Sequence, residues 1–360
     1  MKKDNIIYIL FIIIIVGVSG YSIYKHFNYE IPDGVIPYSV YIDVIDDDNG
    51  YVAIGMNNYY KENNAKYNSN KDIILQGQFI KFDKNLNIVK KIDYNDNNDN
   101  GFMPREIIKT DDGYILTGVI MPLNSVKSVV IKLDKDLNVV KKIYLNELDS
   151  TVAIKMIKDN DRYTILTHTY KTDGETISDD YNVIFELDKD LNIVNKIIYK
   201  ENYVLNQMFL RDNNYLLIGN NEKDSIVVVI SKDTSEVLST KITDIPNQYE
   251  LYFYNNKLYT SKYVYDLEND TIIHFSGENL SDNHILLIDN DVIYVSHPDP
   301  SDNNYSESIY TYDLNMNKIK EYKLEFENID KIINYNDRLL VIGRVSHDDS
   351  VIPIIKYVEK

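Results

Sequence analysis

The chain has 360 residues, a formal net charge of −18, 32 Tyr, no Trp and no Cys. Binding to nucleic acid runs on Lys and Arg neutralising phosphate, so this acidity argues against a nucleic-acid partner. The missing Cys removes disulfides, thiolate nucleophiles, Cys-ligated zinc and lipoprotein acylation, and Tyr abundance reads as compositional bias, not as a binding signal.

In chain order, Lys2 and Lys3 precede Ile6 to Tyr24, a stretch without a charged residue. As a helix it spans about 28 Å, close to the thickness of a hydrocarbon core. It reads as a single-pass transmembrane helix or uncleaved signal anchor at 6–24, after a short cytoplasmic N-terminus at 1–5 and before a linker at 25–30 and an all-β domain at 31–360. Positive charge ahead of the span directs the remaining chain outside the cell membrane, although Lys25 weakens the asymmetry. The alternative is secretion after cleavage near Val18-Ser19-Gly20; an apolar run longer than the usual signal h-region of about 7–15 residues favours the retained anchor.

After residue 30, short runs of Val, Ile, Tyr and Leu alternate with Asp, Asn and Gly clusters, which predicts strands joined by hairpins. A first inner strand is expected at Tyr38 to Ile45. The next unit predicts strands at Arg105 to Lys109, Tyr114 to Ile120, Ser128 to Leu133 and Val139 to Tyr144, with the first turn at Asp111-Asp112-Gly113. Second strands recur from Tyr51, Tyr114, Tyr163, Tyr215, Leu258, Val292 and Leu339, on average 48 residues apart. Four strands at this period predict a single β-propeller of seven four-stranded blades, or six if the compressed unit Leu251 to Phe275 is not a blade. The last unit offers only Ile329 to Asn334, Arg338 to Val345 and Val351 to Val358, so Tyr29 to Ile36 is expected to supply its outer strand.

The segments Phe82-Asp83-Lys84-Asn85-Leu86-Asn87-Ile88-Val89-Lys90-Lys91, Leu133 to Lys142 and Leu187 to Lys196, together with Asp112-Gly113-Tyr114-Ile115-Leu116-Thr117-Gly118, carry a resemblance over most of residues 38 to 358. The chain resembles membrane-anchored or secreted bacterial β-propeller repeat proteins. It lacks the Trp of tryptophan-aspartate and quinone-binding repeats and the Gly-Gly pairs of kelch repeats, and the resemblance implies no activity.

Strand parity puts minimal turns on one face of the propeller and long connections on the other: Asn57 to Lys71, Asn95 to Pro104, Tyr170 to Tyr181 and His297 to Ser308. Long loops on a rigid scaffold carry function, so Tyr59, Tyr60, Tyr67, Phe102, Tyr170, His297 and Tyr305 are the candidate binding-face residues. If Tyr29 to Ile36 is an outer strand, the membrane lies on the tight-turn side and the elaborated face points away from it.

Asp83-x-Asn85-x-Asn87, Asp134-x-Asp136-x-Asn138 and Asp188-x-Asp190-x-Asn192 open like calcium loops, but position six is Ile88, Val139 or Ile193 and position twelve is Tyr94, Leu145 or Tyr199, so they read as hairpin turns. The six His form no metal motif, and there is no nucleophile elbow, phosphate loop or dinucleotide fingerprint. No cofactor and no metal are expected. The expected function is binding or scaffolding of an envelope protein or glycan; the alternative is a polysaccharide hydrolase or lyase with dispersed acidic residues near the channel.

Overall fold

The computed structural model describes residues 39–60, 73–96, 101–121, 125–172, 177–201, 203–221, 225–243, 251–260, 263–274, 284–298, 306–335, 337–347 and 350–360. They form seven antiparallel sheets, each built in chain order, so the compressed unit is a blade and the count is seven. Blade 1 holds β1 (Ser39–Asp47), β2 (Gly50–Tyr60), β3 (Ile73–Asp83) and β4 (Ile88–Tyr94). Blade 2 holds β5 (Gly101–Lys109), β6 (Gly113–Met121), β7 (Lys127–Asp134) and β8 (Val139–Leu145). Blade 3 holds β9 (Ser150–Asp159), β10 (Arg162–Thr172), β11 (Ile177–Asp188) and β12 (Ile193–Tyr199). Blade 4 holds β13 (Val204–Arg211), β14 (Asn214–Asn220), β15 (Ser225–Ser231) and β16 (Val237–Thr243). Blade 5 is short: β17 (Tyr252–Tyr254), β18 (Lys257–Tyr259), β19 (Tyr263–Asp266) and β20 (Thr271–His274). Blade 6 holds β21 (His284–Asp289), β22 (Val292–Pro298), β23 (Glu307–Asp313) and β24 (Lys318–Phe326). Blade 7 has three strands among the described residues, β25 (Asn328–Tyr335), β26 (Arg338–His347) and β27 (Ser350–Glu359).

The core lies between blades, because both faces of each sheet are covered by neighbours. Val52, Ile54 and Phe79 of blade 1 meet Phe102, Tyr114 and Leu116 of blade 2, and comparable clusters fill every other interface. The ring closes where Val44, Tyr51 and Phe82 of blade 1 pack on Leu340 and Ile342 of blade 7. Tyr51 also meets the rings of Tyr335 and Tyr357 edge-on, at 6.0 and 6.2 Å.

One turn design serves four blades. Asp83 Oδ1 accepts the backbone N–H groups of Asn85 and Asn87, both at 2.8 Å, and its Oδ2 accepts Asn87 Nδ2 at 2.9 Å. Asp134, Asp188 and Asp313 do the same. The fourth residue, Leu86, Leu137, Leu191 or Met316, is left-handed with φ of 66°, 63°, 59° and 64°. An aliphatic residue in that region is strained, and burial of Leu137 and Leu191 offsets the cost. The carboxylate is saturated by the turn itself, which is why the calcium-like spacing is a hairpin.

Among the described residues no helix is long and apolar enough to cross a membrane. The expected span at 6–24 and the expected strand at Tyr29 to Ile36 lie outside the described residues.

Candidate functional site

The first strands line the axis, and six of the seven carry a β-bulge at the same height. The extra residues are Ile42, Arg105, Ile154, Asn206, Leu286 and Asp330. A bulge leaves main-chain groups unpaired on a strand edge that has no further strand beyond it. In two blades the residue after the bulge is a carboxylate that repairs this across the interface. Asp43 accepts the N–H of Val44 and, from blade 2, the N–H of Ile107, each at 2.9 Å. Glu106 accepts the N–H of Met156 in blade 3 at 2.6 Å.

Two lysines from the same rung complete an arc. Lys331 of blade 7 is paired with Asp43, and Lys155 of blade 3 with Glu106. Gln207 and Leu287 hold the corresponding places in blades 4 and 6, so charge is confined to blades 7, 1, 2 and 3. Burial pushes the Glu106 carboxyl above its ordinary value and the like charge of Asp43 adds to this, while Lys155 and the Met156 N–H oppose it. For Lys155, burial favours the neutral amine, but the adjacent Glu106 outweighs it and raises the ammonium's pKa. Both carboxylates are thus committed to main-chain donors and ammonium groups, which is wall-building chemistry.

The two faces differ in how far their polar groups are satisfied. On the tight-turn side, Asp47 bridges Lys81 at 2.9 Å and Lys109 at 3.6 Å, and Tyr215 donates to Glu186 at 2.7 Å. Towards the long-connection side the second and third strands turn polar inside the blade: Asn57, Gln78, Ser128, Thr167, His168, Thr169, Asn182 and Ser296 are all buried. Among the described residues Asn57 Oδ1, His168 Nδ1, Asn206 Oδ1, Ser296 Oγ and Arg344 Nε have no hydrogen-bond partner there, and on the tight-turn side Asn334 Oδ1, beside the β25–β26 turn, has none either. Burial holds the His168 imidazole below its ordinary pKa, opposed by Asp180, whose carboxylate lies 3.9 Å from Nε2.

The expected binding-face residues are dispersed. Tyr59 and Tyr60 belong to the end of β2, and Tyr67 and Tyr305 lie outside the described residues. Phe102 is corrected to a core residue, because β5 begins at Gly101 and the ring is fully buried between blades 1 and 2. It stands 5.0 Å from the Tyr94 ring, in space left by two glycines: a Cβ on Gly77 or Gly118 would come within 2.3 or 2.4 Å of it. Tyr170 is also buried, 6.1 Å from the His168 ring and beside Val40, Met56 and Met103. His297 keeps partial exposure; its ring meets Tyr310 edge-on at 4.8 Å, and the Lys318 ammonium lies 3.7 Å from the Tyr310 centroid.

Strands also run further into the expected loops than alternation suggests. β10 and β11 continue pairing through Lys171 with Ser178 and Thr172 with Ile177, and β2 and β3 through Tyr60 with Ile73. The axial arc was invisible in the sequence, since 56 acidic residues hide any two that meet. A signal did exist: Asp43, Glu106, Lys155 and Lys331 occupy one place in the repeat.

Among the described residues no three His, Asp or Glu side chains come together to hold a metal ion. No family model matches the chain, and no curated protein matches it by sequence. Its fold is similar to the Pyrococcus horikoshii acylaminoacyl peptidase, with a TM-score of 0.51 and 10% identity over 89% of this chain and 52% of the peptidase. The chain therefore spans about half the length of that protein. It is also similar to the Dos1 propeller, at a TM-score of 0.49 and 10% identity over 86% of this chain and 90% of that one. The β-propeller domain of the Trilobed protease from Pyrococcus furiosus, described as having an open velcro topology, gives 0.45 and 10% over 72% and 83%. At such identity these likenesses speak to fold alone.

Proposed function

We propose that this chain is a membrane-anchored, extracytoplasmic propeller that serves as a binding or scaffold module for an envelope protein or glycan, using the face that carries the long connections. The observation behind this reading is the asymmetry of the two faces. Among the described residues the tight-turn side is largely paired by its own aspartates, lysines and tyrosines, with Asn334 Oδ1 the buried atom lacking a partner there, whereas Asn57 Oδ1, His168 Nδ1 and Ser296 Oγ lack partners under the opposite side. Unsatisfied buried groups cost stability and persist in functional regions or beside unplaced partners. The axial wall offers little to the hydrolase alternative, because a glycosidase needs two carboxyls free to act as acid and base, and Asp43 and Glu106 are engaged. The apolar segment at 6–24 and the lysines before it support the anchored, outward orientation over secretion.

The test is photocrosslinking in intact cells from a reactive residue at Tyr67 or Tyr305, compared with one at Lys84 or Lys135 in the tight turns. Protein or glycan adducts are expected from the first pair only. Adducts formed equally from both faces, or only from the turns, would refute the reading.

A further inference from the structure

We infer that His168 works as a proton-operated latch on the outer part of the β10–β11 hairpin, holding it closed over blade 3 while the imidazole is neutral and releasing it when the ring gains a proton. As regulation of binding this rests on the long-connection face being the binding face; the latch itself does not. Three observations carry it.

The first is a ring with one open end. His168 lies on β10, opposite Val152 of β9 and Asn182 of β11, and is 5% exposed. The hydroxyls around it are engaged: Thr167 donates to Val183 O and Thr169 to Ser150 O, each at 2.9 Å, and Thr151 meets Thr169 at 3.1 Å. His168 Nδ1 has no partner among the described residues. A proton added there makes a buried cation with an N–H lacking an acceptor, which costs free energy for as long as the site stays shut.

The second is what faces the other end. On the Nε2 side stand the Asn182 amide, which hydrogen-bonds the ring, and the Asp180 carboxylate, 3.9 Å away and 41% exposed. Asn182 is already committed: it donates to Tyr203 O at 2.6 Å and accepts the Leu205 N–H at 3.0 Å, tying blade 3 to blade 4. Asp180 is the charge that acts on the ring. Lys171 is paired with Asp179 and Glu147 with Lys196, each at 2.8 Å, and burial keeps the hydroxyls of Tyr170 on β10 and Tyr199 on β12 protonated. Since 3.9 Å is beyond hydrogen-bond distance, a charged ring gains its partner only when Asp180 and the ring move together.

The third is a hinge beside them. Just beyond His168 the hairpin breaks register between Thr169 and Lys171, and Asp179, on the strand opposite the break, is left-handed with φ of 48°. A residue with a Cβ is strained in that region. Past the break the described pairing is Lys171 with Ser178 and Thr172 with Ile177. The stretch that must move to bring Asp180 to the ring is therefore held by little main-chain pairing.

A His released from burial titrates near 6.5, so the closed form holds above that value and opening takes up a proton below it. One such proton makes opening about eightfold more favourable at pH 5.5 than at pH 7.

The test is hydrogen exchange of the full-length protein in detergent at these two pH values, with rates normalised for the intrinsic pH dependence of exchange. Amides of residues 177–182 are expected to lose about eightfold in protection at the lower pH, and those of β14 and β15 to keep theirs. In His168→Gln the two pH values should give equal protection, and Asp180→Asn, which keeps the imidazole, should show a smaller loss than the unmodified protein. No loss in the unmodified protein, the same loss in His168→Gln, or an equal loss in every blade would overturn the inference. Where His168→Gln fails to fold, Asp180→Asn decides alone, and a loss as large as in the unmodified protein then overturns it. The exchange reads the latch whatever the face binds, so its outcome is separate from that of the crosslinking.

Discussion

Phe102 fits only because two residues have no side chain. Gly77 faces one edge of its ring and Gly118 the other, from two different blades. Gly118→Ala should therefore destabilise the protein by about 1–3 kcal/mol, the usual cost of overpacking. The same substitution in a Phe102→Leu background should cost clearly less. Thermal or urea unfolding of the four variants measures the difference, and equal costs would mean that Phe102 is not the obstacle. A Phe between Asn- and Asp-rich segments looks like a loop aromatic in the sequence. What identifies it as core is the pair of distant glycines, and single-sequence patterning cannot connect those.

At the level of the hairpin, the Asp-x-x-x-Asn turn couples stability to pH. Hydrogen bonds from the Asn at the end of each turn hold the carboxyls of Asp83, Asp134, Asp188 and Asp313 below the ordinary value of 3.8. A carboxyl depressed in the folded state contributes stability above its unfolded pKa and loses it as pH falls through the folded pKa. Converting all four to Asn keeps an oxygen acceptor for the two backbone donors but removes the titration. The stability lost between about pH 6 and about pH 3 should shrink in that variant, as read by urea midpoints at each pH. An acid limb as steep as in the parent would show that other carboxylates dominate. These hairpins were the most legible part of the sequence, because the turn chemistry is local and repeated. Strand ends on the opposite side were not: β5 starts before its expected Arg105, since Gly101 and Pro104 look like loop residues yet lie in a first strand beside the bulge.

Across the whole molecule, Asp43 ties three blades together. Asp43→Ala would leave the N–H groups of Val44 and Ile107 and the Lys331 ammonium without their acceptor, at a cost of about 2–4 kcal/mol. Lys331→Met should cost much less, because Asp43 then keeps both main-chain donors. Urea denaturation distinguishes them, and comparable losses would show that the ion pair, not the capping of N–H groups, is what matters. The repeat left six or seven blades open, and β17 to β20 decide for seven; the three strands of the last unit were legible in it. The axial arc was harder to read, since its four members share one place in the repeat but no single residue type, and Lys331 meets Asp43 only when the ring closes.

The direction of these contacts has a further consequence. Asp43 reaches forward into blade 2, Glu106 forward into blade 3, and Lys81, Lys132 and Tyr357 each forward to the next outer turn. Blades 1, 2 and 7 thus each present a reaching side to a receiving side on the next blade, as in the head-to-tail association of subunits in a cyclic oligomer. Such an interface has no natural end: it propagates until the accumulated rotation returns to the start. Seven copies bring the reaching side of the last to the receiving side of the first, so the number of blades is a property of the angle between neighbours and not of any special contact at the seam.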